Sequence, residues 1–327
     1  MTWIIKSTIL AFIISTAFIG ISFNRIFLSW RVIELNLILF VPIIIFSKNF
    51  YFSSIIRLKY FFIQSLASIL LLSIVMLNLI LYEETLIDIF ILLSLGWKLG
   101  VPPFHRWIIN LIIDLDYQNF FIVSSWQKVI PFHIISRLST KYIELIIILS
   151  LIFSVTIRIM SQLNIKKILI ISSIFTTSWV IAAILFSASF WILVLGIYAT
   201  ILWLIAKILC LSKSGNKVYV LALSSSFIEK ITLFLLVLSM AGFPPLIGFF
   251  LKLTIIMGLI FLGINFISSL IILSSVIMIY IYTTIFFLSL TIYSLELNYL
   301  SSFYYFKSSM VYFRLGLPFI PLVIFYF

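Results

Sequence analysis

One cysteine and two histidines in 327 residues leave this chain almost no soft metal ligands. Cys210 alone forms neither an intrachain disulfide nor a thiolate cluster, which argues against zinc, haem and iron–sulfur centres. Charge is equally scarce: 9% of residues are charged and 64% apolar, with a mean hydropathy of +1.34. So little polar surface cannot cover a soluble core. The net charge of +12 does not point to nucleic acid, because the basic residues stand singly between apolar runs rather than in a stripe with spaced aromatics. There is no Gly-rich phosphate loop and no nucleophile beside its base, so redox or group-transfer catalysis within the chain is excluded. The start, Met1 to Lys6, runs into apolar sequence with no Arg-rich presequence or cleavage site and is read as the first span.

What is present is apolar sequence in span-length pieces. A crossing helix needs about 20 apolar residues. Cuts at charged and turn-forming clusters give spans at roughly 2–23, 26–46, 57–81, 86–112, 117–138, 142–160, 166–186, 189–211, 224–263, 266–295 and 310–327. The expectation is therefore an all-α polytopic membrane protein with about eleven transmembrane helices in a single membrane domain. Basic residues collect on the side from which a membrane was entered. Lys6, Lys48, Arg57, Lys59, Arg106, Arg158, Lys166, Lys167, Lys213, Lys217 and Lys307 then share one face, against Arg25, Arg31, Arg137 and Lys141. This places the N-terminus inside and the acidic Glu83, Glu84 and Asp88 outside.

Two spans are irregular. Leu86 to Gly100 is too short to cross alone, and Pro102-Pro103 follows it, so 104–113 is expected to complete the fourth crossing. Tandem prolines remove two N–H donors, which should end the helix and leave carbonyls unpaired. The ninth segment carries a similar interruption, Gly242-Phe243-Pro244-Pro245-Leu246-Ile247-Gly248, and reads as one broken span or two short ones. Broken helices five apart suggest two inverted five-helix repeats, 1–140 and 141–297, with 298–327 as an added C-terminal helix. Interrupted helices in matching places mark transport paths.

A charge at mid-bilayer costs roughly 2.5–3.5 kcal/mol on insertion scales, so each one needs a reason. Glu34 lies about 12 Å into the second helix, where it serves as a functional acid or as a structural partner of Arg31. Lys98 precedes the first break, Lys128 sits mid-span before Pro131, and Lys252 follows the second break. Lys207 and Arg158 are near enough to helix ends to snorkel. His105 and His133 read as satisfied polar residues, and Ser172, Ser173, Thr176, Thr177 and Ser178 form a polar face that holds water or packs.

Four stretches carry a family resemblance: Glu34-Leu35-Asn36 with Pro42; Leu58-Lys59-Tyr60-Phe61 with Gln64; Trp97-Lys98-Leu99-Gly100-Val101-Pro102-Pro103-Phe104-His105 with Trp126-Gln127-Lys128-Val129-Ile130-Pro131; and Ala241-Gly242-Phe243-Pro244-Pro245-Leu246-Ile247-Gly248 with Lys252. In order and spacing they resemble the mitochondrial NADH dehydrogenase subunit 2 family, antiporter-like membrane subunits of respiratory complex I. The resemblance implies an inverted-repeat fold, an animal form with a shortened N-terminus, and a buried proton relay of Glu34, Lys98, Lys128 and Lys252. It also implies the mitochondrial inner membrane with the N-terminus on the matrix side, and neighbouring antiporter-like subunits and lipids as partners. NAD, FMN, iron–sulfur clusters and ubiquinone belong to other subunits, none to this chain. One departure stands out: where the family usually has His, this chain has Thr176. Two lysines about 7 Å apart at an effective dielectric of 20 repel by roughly 2.4 kcal/mol, enough to pass a proton along a row. The alternatives are a standalone proton/cation antiporter and a non-conducting structural subunit.

Overall fold

A computed structural model describes residues 2–45, 50–77, 84–138, 165–211 and 227–297. Every regular element among the described residues is helical. In order they are α1 (Thr2–Ser22), α2 (Ile26–Ile45), α3 (Phe50–Leu77), α4 (Glu84–Leu99), α5 (Arg106–Asp114), α6 (Tyr117–Ser124), a 3₁₀ turn (Trp126–Lys128), α7 (Val129–Ile135), α8 (Ile165–Phe186), α9 (Phe190–Leu211), α10 (Phe227–Ala241), α11 (Ile247–Phe261) and α12 (Asn265–Leu297). Six of these helices are long and apolar enough to cross a membrane unaided: α1, α2, α3, α8, α9 and α12. The chain is a multi-pass membrane protein.

The first two expected spans agree with α1 and α2 to within a residue. The third starts at Phe50 rather than near 57, because Arg57 and Lys59 are good helix formers and do not end a helix. The expected spans at 142–160 and 310–327 lie outside the described residues, as do Lys48, Glu83, Lys141, Arg158, Lys213, Lys217 and Lys307. A count of eleven therefore rests on the sequence.

The two breaks share one local design. Gly100 (φ 68°) and Gly242 (φ 87°) adopt the left-handed conformation that ends a helix, and each precedes a Pro-Pro pair joined by a cis bond. At the first, Val101 N–H reaches back to Gly96 O (2.9 Å) and Gly100 N–H to Trp97 O (3.2 Å). At the second, Phe243 N–H bonds Leu238 O (3.2 Å) and Gly242 N–H bonds Ser239 O (3.3 Å). Both are Schellman closures. The glycine stops the helix before the prolines are reached, and the expected unpaired carbonyls are largely absent. Trp107 Nε1 donates to Trp97 O (3.1 Å) and Gln64 Nε2 to Lys98 O (3.3 Å). Lys252 Nζ donates to Ala241 O (2.5 Å). Away from bulk water, side chains from other turns satisfy the freed backbone.

The fifth span is interrupted as well. A proline lacks the N–H that would bond the residue four back, and its ring crowds that carbonyl. Pro131 disturbs Gln127 in this way, and the chain tightens into the 3₁₀ turn Trp126–Lys128 between α6 and α7. Lys128 therefore sits on the irregular turn itself rather than on a helix kinked beyond it.

At the centre lies α8, buried along its crossing stretch except at Lys167 and the terminal Phe186. Beyond Lys167 it carries no charge, and its five Ser and Thr hydroxyls are bonded to carbonyls within the helix, which suits such a position. It packs against α5, α7, α9 and α11. By contrast α1 and α3 bury only 17% and 28% of their spans and present Phe12, Phe18, Phe62 and Ile69 outward, as lipid-facing helices do.

Candidate functional site

The elements bring three lysines of the row inside. Lys98, Lys128 and Lys252 retain 7%, 3% and 9% of their surface, while Glu34 on α2 is half-buried. Lys98 ends α4, beside its negative dipole end. Its Nζ is buried and makes no hydrogen bond among the described residues. The carboxylate that acts on it electrostatically is Glu34. Arg31 is occupied elsewhere, its guanidinium lying 4.7 Å from the centre of the Phe27 ring.

Lys98 and Lys128 line the same cavity, together with Asn36, Tyr60, Gln64, Trp107 and Gln127. Its volume, measured as space open to the centre of a water molecule, is about 30 Å³. A buried water needs roughly 10–15 Å³ by that measure and two to four polar partners, so two waters fit between the lysines. Tyr60 faces Gln127 across it, and Gln127 Nε2 is buried with no hydrogen-bond partner among the described residues. Asn36 is held from behind by a short hydrogen bond from Thr16 Oγ1. Periodicity alone gave no reason to group Gln64, Tyr60 and Gln127 here, since they come from α3 and the 3₁₀ turn.

Lys128 points the other way as well: its Nζ donates to Ser173 O on α8 (3.2 Å). Lys252, on α11, bonds Ala241 O at the carboxyl end of α10. Its ammonium lies 5.0 Å from the Phe175 ring centre and 4.8 Å from that of Trp179, a cation–π seat on α8. Each flanks α8, so the central helix separates Lys128 from Lys252. Gly242 makes the seat possible: a Cβ there would lie 2.6 Å from Lys252 Cδ. Gly248 does the same for the backbone, since any Cβ would overlap the Ser239 carbonyl.

The remaining candidates fall outside the row. Lys207 is exposed, its Nζ 3.5 Å from the Trp203 ring centre, as a snorkelling side chain would be. His133 meets Arg137 Nη2 through Nε2 (2.5 Å), and the same nitrogen of Arg137 donates to Asn24 Oδ1 (3.2 Å). It is not among the cavity residues. The polar face of α8 is spent internally as donors: Ser172, Ser173, Thr176, Thr177 and Ser178 each bond the carbonyl three residues back. Two buried lysines escaped the sequence reading. Lys166, counted there as a loop charge, donates to Leu115 O (2.5 Å) and lies 5.2 Å from the Tyr117 ring centre. Lys230, 2% exposed, sits in the first turn of α10 beside Glu229; its place inside an apolar segment was the available signal. Among the described residues no group of His, Cys, Asp and Glu could hold a metal ion.

No family model matches the chain. Among curated proteins it is similar to the NADH-ubiquinone oxidoreductase chain 2 of Rhipicephalus sanguineus, 33% identical over 279 residues, covering 83% of this chain and 84% of that protein. The chain 2 of Anopheles gambiae is 29% identical over 293 residues, covering 86% and 85%. Among solved structures, a chain of respiratory complex I from Thermus thermophilus superposes with a TM-score of 0.71 at 18% identity, over 94% of this chain and 74% of that one. A chain of the Mrp complex from Dietzia sp. gives 0.67 at 15% identity, over 78% and 55%. These structural likenesses show a shared fold.

Proposed function

From the premise that the chain belongs to the NADH-ubiquinone oxidoreductase chain 2 family, we propose that it is a proton-translocating membrane subunit of respiratory complex I in the mitochondrial inner membrane. Its N-terminus lies on the matrix side and other membrane subunits flank it. NAD, FMN, iron–sulfur clusters and ubiquinone, with the redox reaction they carry out, reside in those other subunits. The matching breaks after Leu99 and Ala241 support reading 1–140 and 141–297 as inverted repeats.

The observation that carries this proposal is the cavity shared by Lys98 and Lys128. An ammonium without a hydrogen bond, beside room for two waters, is an expensive arrangement for a purely structural lysine. Glu34 stabilises the charge on Lys98. When a movement in a neighbouring subunit weakens that pairing, the Lys98 proton passes through the cavity water toward Lys128. Two charges on the cavity wall repel, and the proton on Lys128 is driven toward α8. Lys252 receives on the far side, where the carbonyl end of α10 and two aromatic faces stabilise the arriving charge.

The test is Lys128→Met in the assembled complex, with protons moved per electron measured in proteoliposomes. A reduced ratio in normally assembled complex supports the relay. Full stoichiometry would falsify it and leave a non-conducting structural role.

A further inference from the structure

The relay as described leaves a gap, because α8 stands between Lys128 and Lys252. Helical geometry shows what lines the way round it. At about 100° per residue, and taking Thr176 as zero, Ser173 falls at roughly +60°, Ser172 at −40°, Trp179 at −60° and Phe175 at −100°. Lys128 is bonded at Ser173 and Lys252 is seated on Phe175 and Trp179. Thr176 and Ser172 therefore occupy the arc between the two lysines.

Two tyrosines from other helices cover that arc. Tyr198 on α9 is buried, and its hydroxyl faces Thr176 and Ser173 without completing a hydrogen bond to either. Tyr282 on α12 is also buried, faces Ser172, and lies close enough to Tyr198 for the two to interact. An unpaired buried hydroxyl costs about 1–3 kcal/mol, so its placement against the Ser/Thr face of α8 calls for a purpose. The Ser173 carbonyl accepts from both Lys128 Nζ (3.2 Å) and Thr176 Oγ1 (3.0 Å). Because Thr176 spends its donor there, its lone pairs remain to accept from Tyr198.

We infer that the hydroxyls of Tyr198 and Tyr282, with Thr176 and Ser172, bridge Lys128 to Lys252 around α8. The inference rests on the relay proposed above. The step is a proton hop with no electron transfer. Lys128 gives up one N–H proton to a lone pair of the Tyr198 hydroxyl, which releases its own proton to Tyr282, while Thr176 and Ser172, whose donors are committed within α8, accept from and orient the two hydroxyls. The last proton enters the amine lone pair of Lys252, leaving each hydroxyl neutral and reversed in direction. Tyr198 and Tyr282 are relay residues that carry a proton between the two lysines, and Thr176 and Ser172 are positioning residues.

The experiment compares Tyr198→Phe, Tyr282→Phe and Lys128→Met in the assembled complex, reading coupled turnover, protons per electron and the D₂O effect on rate. Tyr198→Phe keeps the ring and loses the hydroxyl. It is expected to slow coupled turnover about ten-fold, short of the roughly 10²–10⁴-fold of a fully committed acid or base because Thr176 remains. The D₂O effect should rise as the hop becomes limiting, which a packing role would not produce. Thr176→Val should repeat the loss and Thr176→Ser restore it, a comparison that stands even if a tyrosine variant fails to assemble. If Lys128→Met loses pumping while both Tyr→Phe variants match wild type, or if Thr176→Val equals Thr176→Ser, the bridge is overturned and the relay survives. If Lys128→Met pumps normally, the relay falls and the bridge with it.

Discussion

Replacing Gly242 with alanine perturbs the backbone and the lysine row together, and a series of glycines separates the two effects. At φ 87° an alanine is in left-handed territory, costing roughly 1–2 kcal/mol. Its methyl would also meet the Lys252 stem 2.6 Å away, and overpacking of this kind adds about 1–3 kcal/mol. The sum is about 2–5 kcal/mol. Gly263 is the control: its φ is 76°, but nothing lies within 4 Å of a Cβ there, so Gly263→Ala should cost only the backbone part. Gly100 lies between, with φ 68° and Ile108 Cδ1 3.1 Å from the added carbon. Graded heating of the solubilised complex, followed by native electrophoresis, should rank stability as Gly263→Ala, then Gly100→Ala, then Gly242→Ala lowest. Gly242→Ala should also lower protons per electron, because the stem it displaces carries the ammonium off Ala241 O. Equal midpoints for Gly242→Ala and Gly263→Ala would refute the claim that the glycine exists to let Lys252 pass.

Further outcomes follow from single contacts. Trp107→Phe removes one of the two donors to Trp97 O, the other being Gly100 N–H, and should destabilise by about 0.5–1.5 kcal/mol, the net worth of one hydrogen bond, read by the same heating assay. Pro131→Ala restores an N–H able to bond Gln127 O, so the 3₁₀ turn should wind into α-helix and swing Lys128 off Ser173 O; assembly should persist while protons per electron fall. Lys207→Met loses only a cation–π contact with Trp203, worth about 0.5–1 kcal/mol at an exposed site, and pumping should be unchanged.

Helix positions and both breaks were legible because they depend on local chemistry: apolar length, glycine and tandem proline. The burial of Lys98, Lys128 and Lys252 was legible for the same reason, since a lysine deep in an apolar run has nowhere else to go. What the sequence concealed was pairing across the fold. Gln64 reaches a carbonyl 34 residues away and Lys128 one 45 residues away, and no periodicity announces such contacts. Tyr198 and Tyr282 look like ordinary apolar-helix aromatics until α9 and α12 turn them toward α8. Lys166 was misread because a charge near a helix start resembles a loop charge, whereas the α5–α6 junction folds over it.

The enclosure of α8 divides the molecule into regions with different tolerance for change. Where the exposed faces of α1 and α3 meet lipid, fluid hydrocarbon rearranges about an enlarged or shortened side chain at little cost. Around α8 the neighbours are fixed turns of α5, α7, α9 and α11, so an altered volume must be absorbed by displacing other helices. A methyl added to α8 therefore travels as movement into α7 and α11, the helices that hold Lys128 and Lys252 in place. The most deeply buried helix in the protein is in this sense the mechanical frame on which its charges are hung.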